Sequence, residues 1–396
     1  MTQTVSRSAR QGLRGFIGSA AHSRPPVYLL IVASIAVLNV IGAVMVLSAT
    51  SVLSLSSHGS PWYVFLRQLV WIAVGAVAFW LCSRFDYHRL RSAIVPLLVI
   101  SAATLALVLV PGIGIEVYGS RRWLGAGALQ FQPVEIAKLA LLVFAADVVA
   151  RKHREIGDFR AVLRPVLLVT AGLAVLVLAE PDLDSVVVLA LITGSILLIG
   201  GIRRRDMLRI GGIGVAGVAL LTWFEPYRRA RVLSFLHPFD DGANTGYQTM
   251  QSLIAIGSGG LTGVGLGAGR SKWLFLPNAH TDFIFAVIGE ELGLIGCLVV
   301  VALFAGLGVI GAVAATRAPD RFGMLLAAGV TVWITGQALI NIGMVVGVLP
   351  VSGLPLPFVS LGGTALVITM AAAGILANVA RQGRLPSPTR EARRAR

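Results

Sequence analysis

Residues 275–296 read FLPNAHTDFIFAVIGEELGLIG, and the apolar run they open continues to about residue 315. A run of that length crosses the roughly 30 Å hydrocarbon core of a bilayer. It nevertheless carries Asp282, Glu290 and Glu291. An ionisable side chain at the bilayer centre costs roughly 2.5–3.5 kcal/mol on insertion scales. Either the run is not a membrane helix, or its carboxylates serve a polar site at its edge.

The rest of the chain decides for the membrane. Of 396 residues, 56% are hydrophobic and 13% charged, against about 25% charged in soluble domains. Ten apolar runs recur, at about 27–50, 64–83, 93–111, 134–150, 163–179, 185–202, 207–224, 283–315, 321–348 and 358–380. The connections alternate in charge. Four arginines precede the first run, three lie in 84–92, and five Lys or Arg in 151–164. Four more lie in 203–209, two in 316–321, and six from Arg381 onward, which accounts for 24 of the 33. Lys and Arg mark cytoplasmic loops, so both termini are expected in the cytoplasm, in agreement with an even number of spans.

The expected fold is therefore an all-α polytopic membrane protein with ten transmembrane helices. It consists of a basic tail (1–26), a ten-helix domain (27–380) and a second basic tail (381–396), with one long extracytoplasmic loop, 225–282, between helices 7 and 8. The first run is too long for a signal-peptide core and reads as a retained helix. The net charge of +15 is topological signal with some attraction to anionic lipid, and does not argue for nucleic acid. Cys82 and Cys297 fall inside spans and read as small packing residues.

The unusual polar residues gather on the outer side. The first outer loop gives GSRRWLGAGALQFQPVEIAK (119–138), with Arg121, Arg122 and Trp123, then Glu135 and Lys138. Pro133 suits the first turn of a helix. Glu135 and Lys138, three apart, pair on one face. EPDLD follows at 180–184, with Glu180, Asp182 and Asp184. The long loop brings Arg228, Arg229 and Arg231, then Arg270 and Lys272, around GSGGLTGVGLGAG (257–269). That glycine run lacks the GK[ST] of a phosphate loop and reads as a close-packed hairpin. VLPVSGLPLPFVSLGGT (348–364), which contains Ser360, implies a broken helix start. Irregular backbone at membrane depth persists only where protein or a wet cavity covers it.

Each of these has a bland reading alone: a lipid-headgroup arginine, a structural ion pair, a solvated turn, a bend. Together they describe an outward-facing cavity with cations beside carboxylates, suited to an anionic lipid. Arg and Lys grip phosphate oxygens. Asp282, at the loop–helix junction, is the candidate base, and partial desolvation raises the pKa of such a group. Glu290, eight residues on, lies about 80° around an ideal helix from it and Glu291 about 180°, so both take supporting roles.

These motifs resemble the SEDS family, which includes FtsW, RodA and SpoVE, over about residues 27–382. They are GSRRWLGAGALQFQPVEIAK, EPDLDS, PYRRARVLSFLHPFDD with GYQTMQSLIAIGSGGLTGVGLG, LPNAHTDFIFAVIGEELG and GVLPVSGLPLPFVSLGGT. PYRRAR…PF and the basic tails are closest to the FtsW branch. The resemblance implies a peptidoglycan glycosyltransferase polymerising lipid II at the outer face of the bacterial cytoplasmic membrane, at the division septum. The family's HTDF aspartate falls on Asp282, the catalytic base. His280, Glu290 and Glu291 support it. Arg121, Arg122, Trp123, Glu135, Lys138, Asp182, Arg228, Arg231, Lys272 and Ser360 are the expected substrate-binding residues. A divalent cation, Mg or Mn, is a candidate cofactor, without a metal-ligand spacing in the sequence. A class B penicillin-binding protein and other division-complex membrane proteins are the expected partners. The chain departs from the family pattern at Val134, Asp184, Ser185, Asn278, Leu361 and Thr364. The rival readings are a lipid II flippase, a non-catalytic division scaffold, and a RodA-like elongation polymerase. A flippase needs polar groups along a path through the membrane, where the main ones are Asn39, Asp147, Gln337 and Asn341.

Overall fold

A computed structural model of the protein describes residues 26–117, 120–126, 129–155, 158–236, 246–273 and 275–383. The expected tails lie outside these residues, apart from 381–383. Three long helices come first: α1 (Pro26–His58), α2 (Tyr63–Arg84) and α3 (Leu90–Val108). After a small sheet come α4 (Pro133–Arg151), α5 (Arg164–Ala179), α6 (Leu183–Gly200) and α7 (Arg204–Phe224). Two shorter helices, α8 (Pro226–Leu236) and α9 (Tyr247–Gly259), precede α10 (Ile284–Thr316), α11 (Arg321–Val345) and α12 (Gly363–Gln382).

Among the described residues, nine helical segments are long and apolar enough to cross a membrane. The chain is a multi-pass membrane protein. The expected span at 134–150 corresponds to α4, which carries Glu135, Lys138, Asp147 and Arg151 and buries most of its residues inside the bundle. Its charges are met by protein. Asp147 pairs with Arg151 and, at 3.2 Å, with Arg91, whose guanidinium lies over the Phe322 ring. The best-buried apolar spans are α11 and α12, while α7 has no buried residue. A helix so exposed is apolar because lipid is its solvent.

The expectation of a purely helical chain needs one correction. The first outer loop folds into three antiparallel strands, β1 (Ile115–Val117), β2 (Ser120–Ala126) and β3 (Leu129–Phe131), in the order β1-β2-β3. Trp123 pairs with Ile115, and Leu124 with Phe131. Outside the bundle, backbone groups without a helix need partners, and a short meander provides them. The loop 225–282 is likewise structured, by α8 and α9.

A break divides α10. Gly293 has φ 65° and ψ −164° in mid-helix, a conformation that only glycine adopts readily. The glycine-rich segment after α9 repairs the lost hydrogen bonds. Val264 and Gly265 N–H donate to the Glu290 and Glu291 carbonyls at 3.0 and 3.1 Å, and Leu294 and Ile295 N–H donate to the Gly260 and Leu261 carbonyls at 2.9 and 3.2 Å. Side chains at Gly259, Gly263 or Gly293 would collide with this backbone. The glycine run is thus a close-packed hairpin, as its composition implies.

Candidate active site

The turn before α10 is shaped by Asn278, at φ 57°. Asn tolerates the left-handed region far better than most residues. Its carbonyl accepts from Thr281 N–H at 3.1 Å and Phe283 N–H at 3.2 Å. The next three carbonyls that matter are all tethered. His280 O accepts from Leu361 N–H at 3.0 Å, Thr281 O from Ser360 Oγ–H at 2.5 Å, and Asp282 O from Asn341 Nδ2–H at 2.7 Å. The His280–Leu361 bond does not depend on the side chain at Leu361, because its main chain makes it. The tethered backbone delivers the half-buried Asp282 side chain.

A cavity of about 490 Å³ opens among β2, α6, α7, α8, α11 and the segment 349–354. Its polar lining includes Arg122, Asp184, Glu225, Arg231 and Ser352, and its apolar walls include Val187, Val218 and Ile340. Asp282 is close enough to these charges to respond to them. Burial pushes its carboxyl up to about 7, helped by the Asp184 charge and opposed by Arg231 and Arg122. Burial lowers the pKa of His280, and the Arg67 charge adds to the effect. A carboxylate ionising near 7 is matched to accepting a proton at neutral pH.

Arg122 is oriented by backbone. Its guanidinium donates to the Glu180 carbonyl at 3.3 Å and the Pro181 carbonyl at 2.6 Å. The buried Glu180 side chain finds no hydrogen-bond donor among the described residues. Burial first, and the Asp182 charge second, push its carboxyl up to about 8 against the pull of Arg122.

Of the expected binding residues, Arg122 and Arg231 reach the cavity wall. Asp182 caps α6 instead, accepting from Ser185 N–H at 3.2 Å and Ser185 Oγ–H at 2.7 Å. Lys138 and Glu135 form a buried pair at 2.7 Å, with the ammonium 5.4 Å from the Trp333 ring centre. Arg121 faces Glu116 at 3.3 Å. Trp123 is half-buried on β2. Lys272 donates to the Gly267 carbonyl, and Ser360 tethers Thr281. The Arg228 side chain lies outside the described residues. Glu290 accepts from Arg270 N–H at 2.6 Å and Ser271 N–H at 3.1 Å, and Glu291 from Ser48 Oγ–H at 2.6 Å. The two glutamates are therefore held inside the bundle by donors.

Three further residues were not singled out for the site from sequence. Glu225 and Ser352 line the cavity, and Asn341 tethers Asp282. The signal for Asn341 was its place four residues after Gln337, on one helical face.

Comparison with known proteins gives a consistent answer. A family model described as a cell cycle protein, covering FtsW, RodA and SpoVE, matches residues 28–385. A probable peptidoglycan glycosyltransferase FtsW of Nitrosococcus halophilus is 40% identical over 393 residues, covering 97% of this chain and 98% of its own length. Stage V sporulation protein E of Bacillus subtilis is 38% identical, with 91% and 98% covered. The crystal structure of Thermus thermophilus rod shape determining protein RodA superposes with a TM-score of 0.67 at 28% identity, covering 90% of this chain and 97% of that one. A chain from a structure of a peptidoglycan synthase complex, described as coordinating polymerization and crosslinking, gives a TM-score of 0.71 at 29% identity, with 90% and 96% covered. Matched in sequence across nearly its whole membrane domain and in fold by solved relatives, the chain belongs to the FtsW/RodA/SpoVE family.

Proposed function

We propose that this chain is a peptidoglycan glycosyltransferase of cell division, polymerising lipid II at the outer face of the cytoplasmic membrane with Asp282 as general base. The observation that carries the reading is the Asp282 carboxyl, ionising near 7 beside a cavity that presents Arg122 and Arg231. The FtsW name of the relatives at 40–41% identity favours division over elongation.

The reaction joins two sugars. A hydroxyl of one disaccharide attacks the anomeric carbon of the other, the bond to the diphosphate oxygen breaks, and the lipid diphosphate leaves. Asp282 takes the hydroxyl proton. Arg122 and Arg231 meet the charge growing on the leaving diphosphate, the usual place for guanidinium groups. The poorly covered α7 forms one wall, so a lipid tail reaches the cavity from the bilayer.

No three His, Cys, Asp or Glu side chains among the described residues converge to hold a metal ion. A Mg or Mn ion therefore fits this reading only as a companion of the substrate diphosphate, and no step here depends on it. In this reading ten spans put the cavity at the outer face and both termini in the cytoplasm, with the protein at the division septum. A class B penicillin-binding protein and other division-complex membrane proteins are the partners in this reading, supported by the likeness to a chain of a synthase complex. A flippase path is disfavoured. Asn39 bonds its own helix, Asp147 is paired with arginines, and Gln337 and Asn341 hold loop carbonyls.

The test is polymerisation of purified lipid II by the full-length protein with its transpeptidase partner, crosslinking blocked. Glycan from wild type and none from folded Asp282→Asn supports the reading. Equal product from both removes Asp282 as base, and none from either favours a flippase or scaffold.

A further inference from the structure

Two backbone segments are joined through Asn341, and each is held at three consecutive residues. The first is 280–282, whose carbonyls are held by Leu361, Ser360 and Asn341. The second is 353–355. Gly353 N–H donates to Asp184 Oδ2 at 2.8 Å, Leu354 O accepts from Asn341 Nδ2–H at 2.7 Å, and Pro355 O accepts from Gln337 Nε2–H at 3.0 Å. Among the described residues, Asn341 is the side chain common to both sets. Its one amide nitrogen spends both hydrogens, one on Asp282 and one on Leu354, and Leu354 lines the cavity. Asn341 is fully buried.

Resting on the assignment of Asp282 as base, we infer that Asn341 is a positioning residue. It fixes the height of the Asp282 carboxylate relative to the cavity wall. The chemistry is specific to a primary amide, because two carbonyls must be satisfied from one atom, and no apolar side chain of similar size donates at all. A misplacement of about 1 Å at a reacting group costs on the order of 10²-fold in rate. The groups that set the Asp282 field come from three elements: Asp184 on α6, Arg122 on β2 and Arg231 on α8. Loss of the tether changes the distance of Asp282 from all three.

Asn341→Leu and the milder Asn341→Ser, which keeps one donor, are compared with Gln337→Leu. Gln337 lies one turn away, is also buried, and holds Pro355 O and Trp333 Nε1–H but no atom of 280–282. Full-length protein with its partner is assayed on lipid II for kcat, KM and the pH dependence of kcat/KM, beside Asp282→Asn. The expected result is a kcat loss of about tenfold or more for Asn341→Leu with KM little changed, and a displaced acid limb in both Asn341 variants. Gln337→Leu should leave the acid limb in place. The inference is overturned if folded Asn341→Ser keeps the wild-type acid limb and kcat, or if Gln337→Leu matches Asn341→Leu in every readout. If Asp282→Asn itself polymerises lipid II, the base assignment fails and the inference falls with it. An inactive Asp282→Asn beside a normal Asn341→Ser sinks the positioning role alone.

Discussion

The Asp184 carboxylate accepts the Gly353 amide hydrogen at 2.8 Å, joining residues 169 apart in sequence. The bond fastens the start of α6 to the last outer segment and sets a second negative charge near Asp282. This is a carboxylate the family pattern lacks, and it has two separable effects. Asp184→Asn keeps an acceptor for Gly353 and removes the charge. With that charge gone, the Asp282 carboxyl loses proton affinity, so the acid limb of the pH–rate profile should move to lower pH. Asp184→Gly should do the same and also destabilise the fold by about 1 kcal/mol through loss of the bond. A profile of polymerisation against pH, with thermal unfolding of both variants, checks this.

Wild-type activity should rise with pH through about 7, where Asp282 ionises. Stability should run the other way. A carboxyl whose folded pKa is raised is protonated in the fold while already ionised in the unfolded chain, so the fold loses stability as pH climbs from the ordinary carboxylate range to about 7. Asp282→Asn escapes that loss. It should be more stable than wild type at pH 8 by on the order of 1 kcal/mol, allowing for solvent screening, and no more stable at pH 4. Thermal unfolding at the two pH values decides it.

The buried Glu135–Lys138 pair should behave as a structural unit. Lys138→Met strands a buried carboxylate and should cost about 3–5 kcal/mol, whereas Lys138→Met with Glu135→Gln should recover most of the loss. Melting temperatures of the single and double variants measure this. Polymerisation by the double variant then shows whether the pair also touches substrate.

Gly293→Ala should be poorly tolerated. The φ of 65° is strained for alanine, at about 1–3 kcal/mol, and the new Cβ meets the backbone of Leu261 and Gly263. Lower yield and an earlier unfolding transition are expected. Alanine at Gly306, in the same helix but in open space, is the control.

Much of this was legible in the sequence, for physical reasons. Spans announce themselves because lipid demands long apolar runs, and α1, α10 and α11 fall where the runs lie. Asp282 was legible because a carboxylate at a helix start beside an apolar run needs an explanation. The sheet at 115–131 was not: its strands have three, seven and three residues, too short for alternation to register. The helices inside 225–282 were hidden because they are short, 11 and 13 residues, and the glycine-rich run beside them reads as a loop. Arginines could be listed but not sorted. Arg122 and Arg121 are neighbours on one strand, and alternation sends the first to the cavity and the second to Glu116. Asn341 drew notice as a polar group in an apolar helix, but its partners, 59 and 13 residues away, are visible only in three dimensions.

The repaired break in α10 also makes that helix dependent on the hairpin beside it. A bilayer offers no water to the carbonyls of Glu290 and Glu291 or the amides of Leu294 and Ile295, and each such group left open costs several kcal/mol. The glycine hairpin that satisfies them precedes α10 in the chain but lies outside its span. The break at Gly293 is therefore possible only where the hairpin covers it, so the shape of one membrane helix is conditional on a neighbouring segment.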